Sequence, residues 1–373
     1  LVKYIWEKKD WFDFNYDHKT LIGPLAKARQ LQGNLLGRIS QLNITQETEA
    51  QAEVLIEETV RTAEIEGMAL NRDAVRSSVS ARLGLPQGVG IKDVNADGLI
   101  DVLLDAIRMN DKPLSIERLN SWQAALFPTS YSGLKKIRAG ELRGTEPMQV
   151  VSGPIGKEII HFQAPPKEQA VRELKLFVNW WNNSFKTNTM DGLLRAGAAH
   201  LRFITIHPYE DGNGRIARAL TDMALAEDEK IKVRFYSVSS QIMRDRKEYY
   251  DVLENVQNCR IDTTEWFLWF IECITASIIN SQDIIANVFK RADFWKKHTQ
   301  TQINERQRKV ISKILEAGPG GFMGALTTRK YVGMTRTSRA TAIREINDLV
   351  EKGILIQIGE KGRSVKYEIV WSR

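Results

Sequence analysis

The sequence predicts a mainly α protein with one short β-hairpin near its middle and a winged helix-turn-helix unit at its C-terminus. Three observations carry this. Apolar residues recur at helical spacing through most of the first 290 positions. The stretch 140–166 is instead rich in Gly, Pro and β-formers. Residues 304–373 read as three helices followed by two strands.

Taken in order, residues 1–45 form a small segment rich in aromatics (Tyr4, Trp6, Trp11, Phe12, Phe14, Tyr16) that then turns helical in pattern. ETEAQAEVLIEETVRTAEIEG, 47–67, lacks proline, contains good helix formers and stops at Gly67, a residue suited to the position just past a helix end. Asn71 caps the next helix, RDAVRSSVSARLG, which ends at Gly84. Helical spacing returns at 98–110 and 115–127. VVSGPIGKEIIHF, inside 148–163, reads as a β-hairpin closed by Pro165 and Pro166. KEQAVRELKLFVNWWNNS and MDGLLRAGAAHLRFITI are helices, and further helices are expected at about 215–227, 241–257 and 263–290. RADFWKKHTQTQ, 291–302, is polar and reads as a linker or helix end. In the last unit, ERQRKVISKILEAG, ALTTRKYVGM and TSRATAIREINDLVEKG are helices, and ILIQIGEKGRSVKYEIV is two strands around a GEKGR turn.

Bulk properties exclude several classes. Two cysteines, Cys259 and Cys273, make neither a disulfide framework nor a zinc site, so a reducing, cytoplasmic setting is expected. The first residues show no basic region followed by a long apolar run, so no signal peptide is expected. The most apolar segment, WFLWFIECITASII, is too short to span a bilayer and contains Glu272; no membrane partner is expected. The net charge of +7 lies wholly in 304–373, which holds 14 Lys+Arg against 7 Asp+Glu. The basic character therefore belongs to one terminal unit.

The densest chemistry is HPYEDGNGR, 207–215, immediately before a helical pattern. Gly212 and Gly214 permit positive φ and close backbone approach, and Asn213 tolerates the same geometry. Successive N–H groups of such a loop converge on an anion, aided by the following helix N-terminus. Arg215 and Arg218 share one helix face and can clamp phosphate oxygens. Asp211 can hold Mg²⁺ bridging phosphates, and His207 can take a proton from an attacking hydroxyl. The parts suit transfer of a phosphate-containing group.

HPYEDGNGRIAR resembles the signature of the Fic family, H-x-F-x-[D/E]-G-N-G-R-x-x-R, with Tyr209 where Phe is usual. The resemblance covers roughly residues 50–290 and implies a Fic core over 46–290. It implies AMP transfer from ATP to a Ser, Thr or Tyr hydroxyl of a target protein, with the chain itself among the candidate targets and pyrophosphate leaving. His207 would be the base and Asp211 the Mg²⁺ ligand. Gly212, Asn213 and Gly214 would hold the α-phosphate, Arg215 the β-phosphate and Arg218 the γ-phosphate, with Ile216 and Ala217 completing the nucleotide-binding run. VVSGPIGKEIIHF resembles the flap that pairs with the target segment; an ordinary surface hairpin is the alternative. RKEYYDVLENVQ resembles the adenosine-binding helix, with Tyr250 and Gln257 as candidate contacts; Tyr249 and Tyr250 as core aromatics are the alternative.

TAEIEG, 62–67, resembles the inhibitory motif [S/T]-x-x-x-E-[G/N] of autoinhibited Fic proteins, placed N-terminal to the core. That resemblance implies that Glu66 neutralises Arg218, with Thr62 orienting Glu66 or its neighbours and Gly67 ending the helix. In some relatives the same Glu positions water for AMP removal. The aromatic N-terminal segment resembles a small domain that precedes Fic cores in bacterial proteins.

The C-terminal unit is a candidate DNA binder through Thr337, Ser338, Arg339, Thr341 and Arg344, with Lys361, Arg363 and Lys366 on the wing; docking of protein or homodimerisation is the alternative. Two rival functions stay open. One is a DNA-binding regulator whose Fic core senses nucleotide. The other is a Fic enzyme that transfers UMP, phosphocholine or phosphate.

Overall fold

The computed structural model describes residues 3–86, 92–153, 157, 159–187, 190–317, 322, 324–358 and 365–371. Two compact units divide the chain at Gln282/Asp283.

In the first unit a 3-10 turn at Ile5–Glu7 precedes α1 (His18–Ile39), which Asp17 caps by accepting from the Lys19 N–H at 3.0 Å. Its aromatic lead-in packs onto later elements. Tyr4 meets Phe162 edge-on at 5.5 Å, and the Arg202 guanidinium lies over the rings of Phe12 and Trp180. Helix α2 (Ile44–Ile65) opens on a capping box between Asn43 and Gln46. It closes on Gly67 at φ 76°, where Met68 N–H bonds to Ala63 O and Gly67 N–H to Glu64 O, a Schellman motif. As predicted, Asn71 caps α3 (Arg72–Leu83) and Gly84 ends it in left-handed geometry.

Helices α4 (Val94–Arg108) and α5 (Ile116–Leu126) cross closely because Gly98 has no side chain: a Cβ there would overlap the Ala125 carbonyl. A second small hairpin, β1 (Tyr131–Ser132) and β2 (Lys135–Lys136), follows; its strands are too short to show alternation in the sequence. The expected hairpin is β3 (Gln149–Ser152) paired antiparallel with β4 (Ile159–Gln163). Residues 154–156 and 158 of that stretch lie outside the described residues.

Helix α6 (Lys167–Thr187) leads to α7 (Gly192–Ile206) and α8 (Asn213–Glu229). Every residue of α7 from Leu193 to Ile206 is buried, and so is α8 from Arg215 to Ala226. A helix enclosed on all sides is a rigid mount for the loop between the two. The expected helix at 241–257 is two helices, α9 (Val238–Arg244) and α10 (Arg246–Gln257), which share Asp245 as end cap and start cap.

Helix α11 (Thr263–Lys297) takes in 291–297, so of the two readings of 291–302 the helix end holds for these residues. The polar residues there mask a fully buried Phe294, which joins the core of the second unit. That unit continues with α12 (Glu305–Ala317), α13 (Thr328–Thr335) and α14 (Arg339–Glu351), then β5 (Leu355–Ile358) paired antiparallel with β6 (Lys366–Ile369). Val310, Ile311, Tyr331, Ile346 and Leu349 pack together in its core. Glu345 ties three segments by accepting from Asn304, Arg306 and the Tyr331 hydroxyl. Lys361 and Arg363 of the expected wing lie outside the described residues, while Lys366 is exposed on β6.

Candidate active site

The loop 207–212 joins the two enclosed helices. His207 ends α7 in left-handed geometry (φ 50°, ψ 59°), an uncommon conformation for a residue with a side chain. Its Nδ1 lies 3.2 Å from the Ile204 carbonyl. A carbonyl only accepts, so Nδ1 carries the hydrogen and Nε2 keeps its lone pair. Burial pushes the imidazole down to about 4, against the Ile204 hydrogen bond, which favours the charged form. His207 is therefore neutral at pH 7, with Nε2 as its basic atom.

Of the two loop glycines, only Gly212 takes positive φ (90°); Gly214 is helical. What Gly214 supplies is space, because a Cβ on it would overlap Glu66 Oε1 and stand 3.2 Å from Arg218 Nη1. The Asn213 side chain is consumed within the loop, accepting from Tyr209 N–H at 3.0 Å and donating to Tyr209 O at 2.8 Å. No side chain caps α8, so the N–H groups of its first turn stay open. Ile216 and Ala217 are fully buried, and the Ile216 N–H bonds to Gly212 O, so these two pack the helix instead of facing the loop.

Arg215 and Arg218 are 4% and 2% exposed, which is costly for charged groups unless something answers the charge. Arg215 lies over the Phe127 ring and 3.6 Å from Asp211, yet its Nε is buried without a partner. Arg218 is closed off. Its Nη2 donates to Glu66 Oε1 at 2.7 Å and to the Thr62 carbonyl at 3.0 Å, and its Nε donates to Thr62 Oγ1 at 2.5 Å. Burial is the largest influence and works against its charge, but Glu66, with Tyr249 and Tyr250, turns the net shift of its pKa upward. Thr62 thus contacts Arg218 directly. Its carbonyl is free to do so because the Glu66 N–H bonds to Ala63 O instead. Arg246 Nε and the Tyr250 hydroxyl reach the next open carbonyl, Ile65 O, at 3.1 and 3.4 Å. Two arginines therefore cap the negative end of α2.

Tyr250 is partly exposed beside this helix end, whereas Gln257 is buried and donates to Thr205. Asp211 accepts from Gly212 N–H at 2.5 Å and from the Ser132 hydroxyl. One carboxylate fits a Mg²⁺ ion that also takes phosphate oxygens and water, not an ion held by protein alone. Among the described residues no three His, Cys, Asp or Glu gather to hold a metal.

Sequence reasoning missed Arg143 and Ser132. Arg143 donates from Nε to His207 O at 2.8 Å and from Nη2 to Pro165 O at 2.5 Å, while its N–H bonds to Pro208 O. It ties the end of the β3–β4 hairpin to the loop. Neither residue belongs to a periodic pattern or motif, and their bonds to the 207–212 loop span gaps of more than 60 positions. No local signal marks such contacts.

The Fic/DOC family model matches residues 113–225, spanning this loop and its helices. The chain carries a Fic/DOC domain at these residues. A model described as a domain of unknown function (DUF4172) matches residues 4–85, ahead of the Fic domain. Protein adenylyltransferase fic-1 of Caenorhabditis elegans is 35% identical over 89 residues, 24% of this chain and 15% of that protein. A probable protein adenylyltransferase of Aquifex aeolicus (strain VF5) is 30% identical over 104 residues, 28% of this chain and 29% of that protein. The chain thus matches less than a third of the length of either relative. In structure it is similar to a Fic family protein from Desulfovibrio desulfuricans G20 (TM-score 0.55, 15% identity, covering 95% of this chain and 97% of that one). A Fic domain containing signaling protein from Bacteroides thetaiotaomicron VPI-5482 is also similar (TM-score 0.52, 19% identity, 72% and 97%). At these identities the shared property is the fold.

Proposed function

We propose that the chain is an autoinhibited protein adenylyltransferase that moves AMP from ATP to a Ser, Thr or Tyr hydroxyl of a target protein, itself included. The observation that carries this is the pairing of a neutral His207 with two buried arginines at one uncapped helix start. His207 Nε2 takes the hydroxyl proton as that oxygen bonds to the α-phosphorus and the bond to pyrophosphate breaks. The open N–H groups of the first turn hold the α-phosphate, Arg215 the β-phosphate, and Arg218, once released, the γ-phosphate. Asp211 would hold Mg²⁺, which neutralises phosphate charge when bound. Tyr250 flanks the adenosine, and Gln257 supports α10 from inside.

In the closed form Glu66 and Thr62 occupy the guanidinium that the γ-phosphate needs, and Gly67 lets α2 end there. Freeing Arg218 removes the brake. The β3–β4 hairpin, whose Val150, Val151, Ile159 and Ile160 are exposed, is the surface along which a target segment adds as a strand. Residues 46–290 are the catalytic core, 1–45 a supporting segment, and 304–373 a winged helix. The winged-helix reading rests on three helices followed by an antiparallel pair, and the charge of that unit makes DNA its first candidate partner, ahead of a second copy of the chain. No helix among the described residues is long and apolar enough to cross a membrane, and a cytoplasmic setting is proposed.

The test incubates wild type, Glu66→Gly and Glu66→Gly/His207→Ala with Mg²⁺ and α-³²P-ATP. Label on Glu66→Gly, weak in wild type and reduced about a hundredfold or more in the double variant, supports transfer, brake and base together. No label on any variant, with ATP still bound, rejects the reading.

A further inference from the structure

Away from the 207–218 loop, the β3–β4 hairpin carries a second ordered set of groups. Ser152 Oγ lies 2.6 Å from His161 Nε2, and His161 Nδ1 lies 2.6 Å from Glu254 Oε2 on α10. An ionised carboxylate only accepts, so Nδ1 carries the hydrogen; in the neutral ring Nε2 then keeps the lone pair and accepts from the Ser152 hydroxyl. The second Glu254 oxygen accepts from Arg260 Nη1 at 3.3 Å. The register explains how the ring reaches both partners. Val150 faces Phe162 while Val151 faces Ile160, which leaves His161 as the extra residue of a bulge. Bulges re-aim side chains. Ser152 is exposed, and the His161 and Glu254 side chains are about a third and a quarter exposed, so a reagent can reach the hydroxyl while the supporting pair is partly covered. Fixing the hairpin to α10 needs only the His161–Glu254 contact and the Asn258 bond to His161 O at 2.9 Å. It does not need a serine hydroxyl on the far ring nitrogen.

We propose that Ser152, His161 and Glu254 form a second nucleophilic site, with Ser152 Oγ as the attacking atom and activated carboxylic esters as the substrate class. Ser152 Oγ bonds to the carbonyl carbon as its proton passes to His161 Nε2. The ester C–O bond breaks and the alcohol leaves with that proton. Water then gives a proton to His161 and its oxygen to the acyl carbon, and Ser152 leaves and regains the proton. Glu254 holds the required tautomer and balances the imidazolium.

The test treats the full chain with a fluorophosphonate probe, which forms a serine O–P bond and releases fluoride, followed by peptide mapping. An adduct on Ser152 is expected in wild type. Its rate of formation should fall about a hundredfold in His161→Gln and about tenfold in Glu254→Gln, both shown by circular dichroism to remain folded at the assay temperature. Nitrophenolate release from p-nitrophenyl acetate should fall in the same order and be lost in Ser152→Ala. An unlabelled Ser152, labelling that both His161→Gln and Glu254→Gln leave unchanged, or ester turnover that survives Ser152→Ala overturns the assignment.

Discussion

Glu66 fills the space that Gly214 leaves open: a Cβ on Gly214 would overlap Glu66 Oε1 and stand 3.1 Å from its Cδ. The Glu66–Arg218 contact and the start of α8 are therefore one packing unit. Gly214→Ala should destabilise the protein by about 1–3 kcal/mol through overpacking. Most of that loss should vanish in a Glu66→Gly background, where the clash is gone. Urea unfolding of the four proteins of this cycle measures the coupling; additive losses would refute the shared packing.

Thr62→Val keeps the shape of the side chain but removes the acceptor of Arg218 Nε. A buried guanidinium N–H then lacks a partner, at a cost of about 1–3 kcal/mol. The Thr62 carbonyl and Glu66 still hold Nη2, so the chain should remain folded. The shift in urea midpoint reports the cost.

Glu66→Gln keeps a hydrogen-bond acceptor on Arg218 and removes its counter-charge. Without ligand the melting temperature should fall, because a buried charge loses its balancing carboxylate. With saturating Mg²⁺ and ATP it should rise more than in wild type, since phosphate charge replaces what was removed. Equal shifts in the two proteins would mean that Glu66 does not compete with the nucleotide.

The folded-state pKa of His207, about 4, lies below that of an unfolded imidazole near 6.5. Between these values the unfolded chain binds a proton that the folded chain does not. Stability is therefore full above pH 6.5 and falls as pH drops toward 4, by up to about 1.4 kcal/mol per pH unit for one such group. His200, pushed down to about 3 by burial and by Arg218, adds a loss of the same sign. Urea unfolding at pH 7, 6 and 5 should show this decline, reduced in His207→Gln. AMP transfer by Glu66→Gly should keep its rate from pH 7.5 to pH 6, where an ordinary histidine base would become protonated.

The charge of 304–373 predicts salt-sensitive binding to duplex DNA. Filter binding should weaken by at least tenfold between 50 and 200 mM salt, and Arg339→Ala/Arg344→Ala should lower affinity and flatten that salt dependence. Retention that is independent of salt would point to a protein partner for this unit.

The sequence by itself determined the features that short-range physics controls. Capping residues and glycines set the ends of α2 and α3, because a cap acts on the backbone beside it. The spacing of His207, Asp211, Arg215 and Arg218 placed these four groups together, because they lie within one loop and one helix start. Local signals were weaker where side chains do several jobs. The polar look of 291–297 left linker and helix end both open, and the inward Phe294 decided for helix, while Gly214, expected to allow positive φ and close approach, is helical and makes room for Glu66. Only the tertiary structure decided which partners meet across the chain. Arg218 finds Thr62 and Glu66, Arg143 finds His207, and Ser152 and His161 find Glu254. These contacts join residues on different elements, and their distances follow from how α2, α7, α8, α10 and the hairpin pack. No periodicity along one element encodes that.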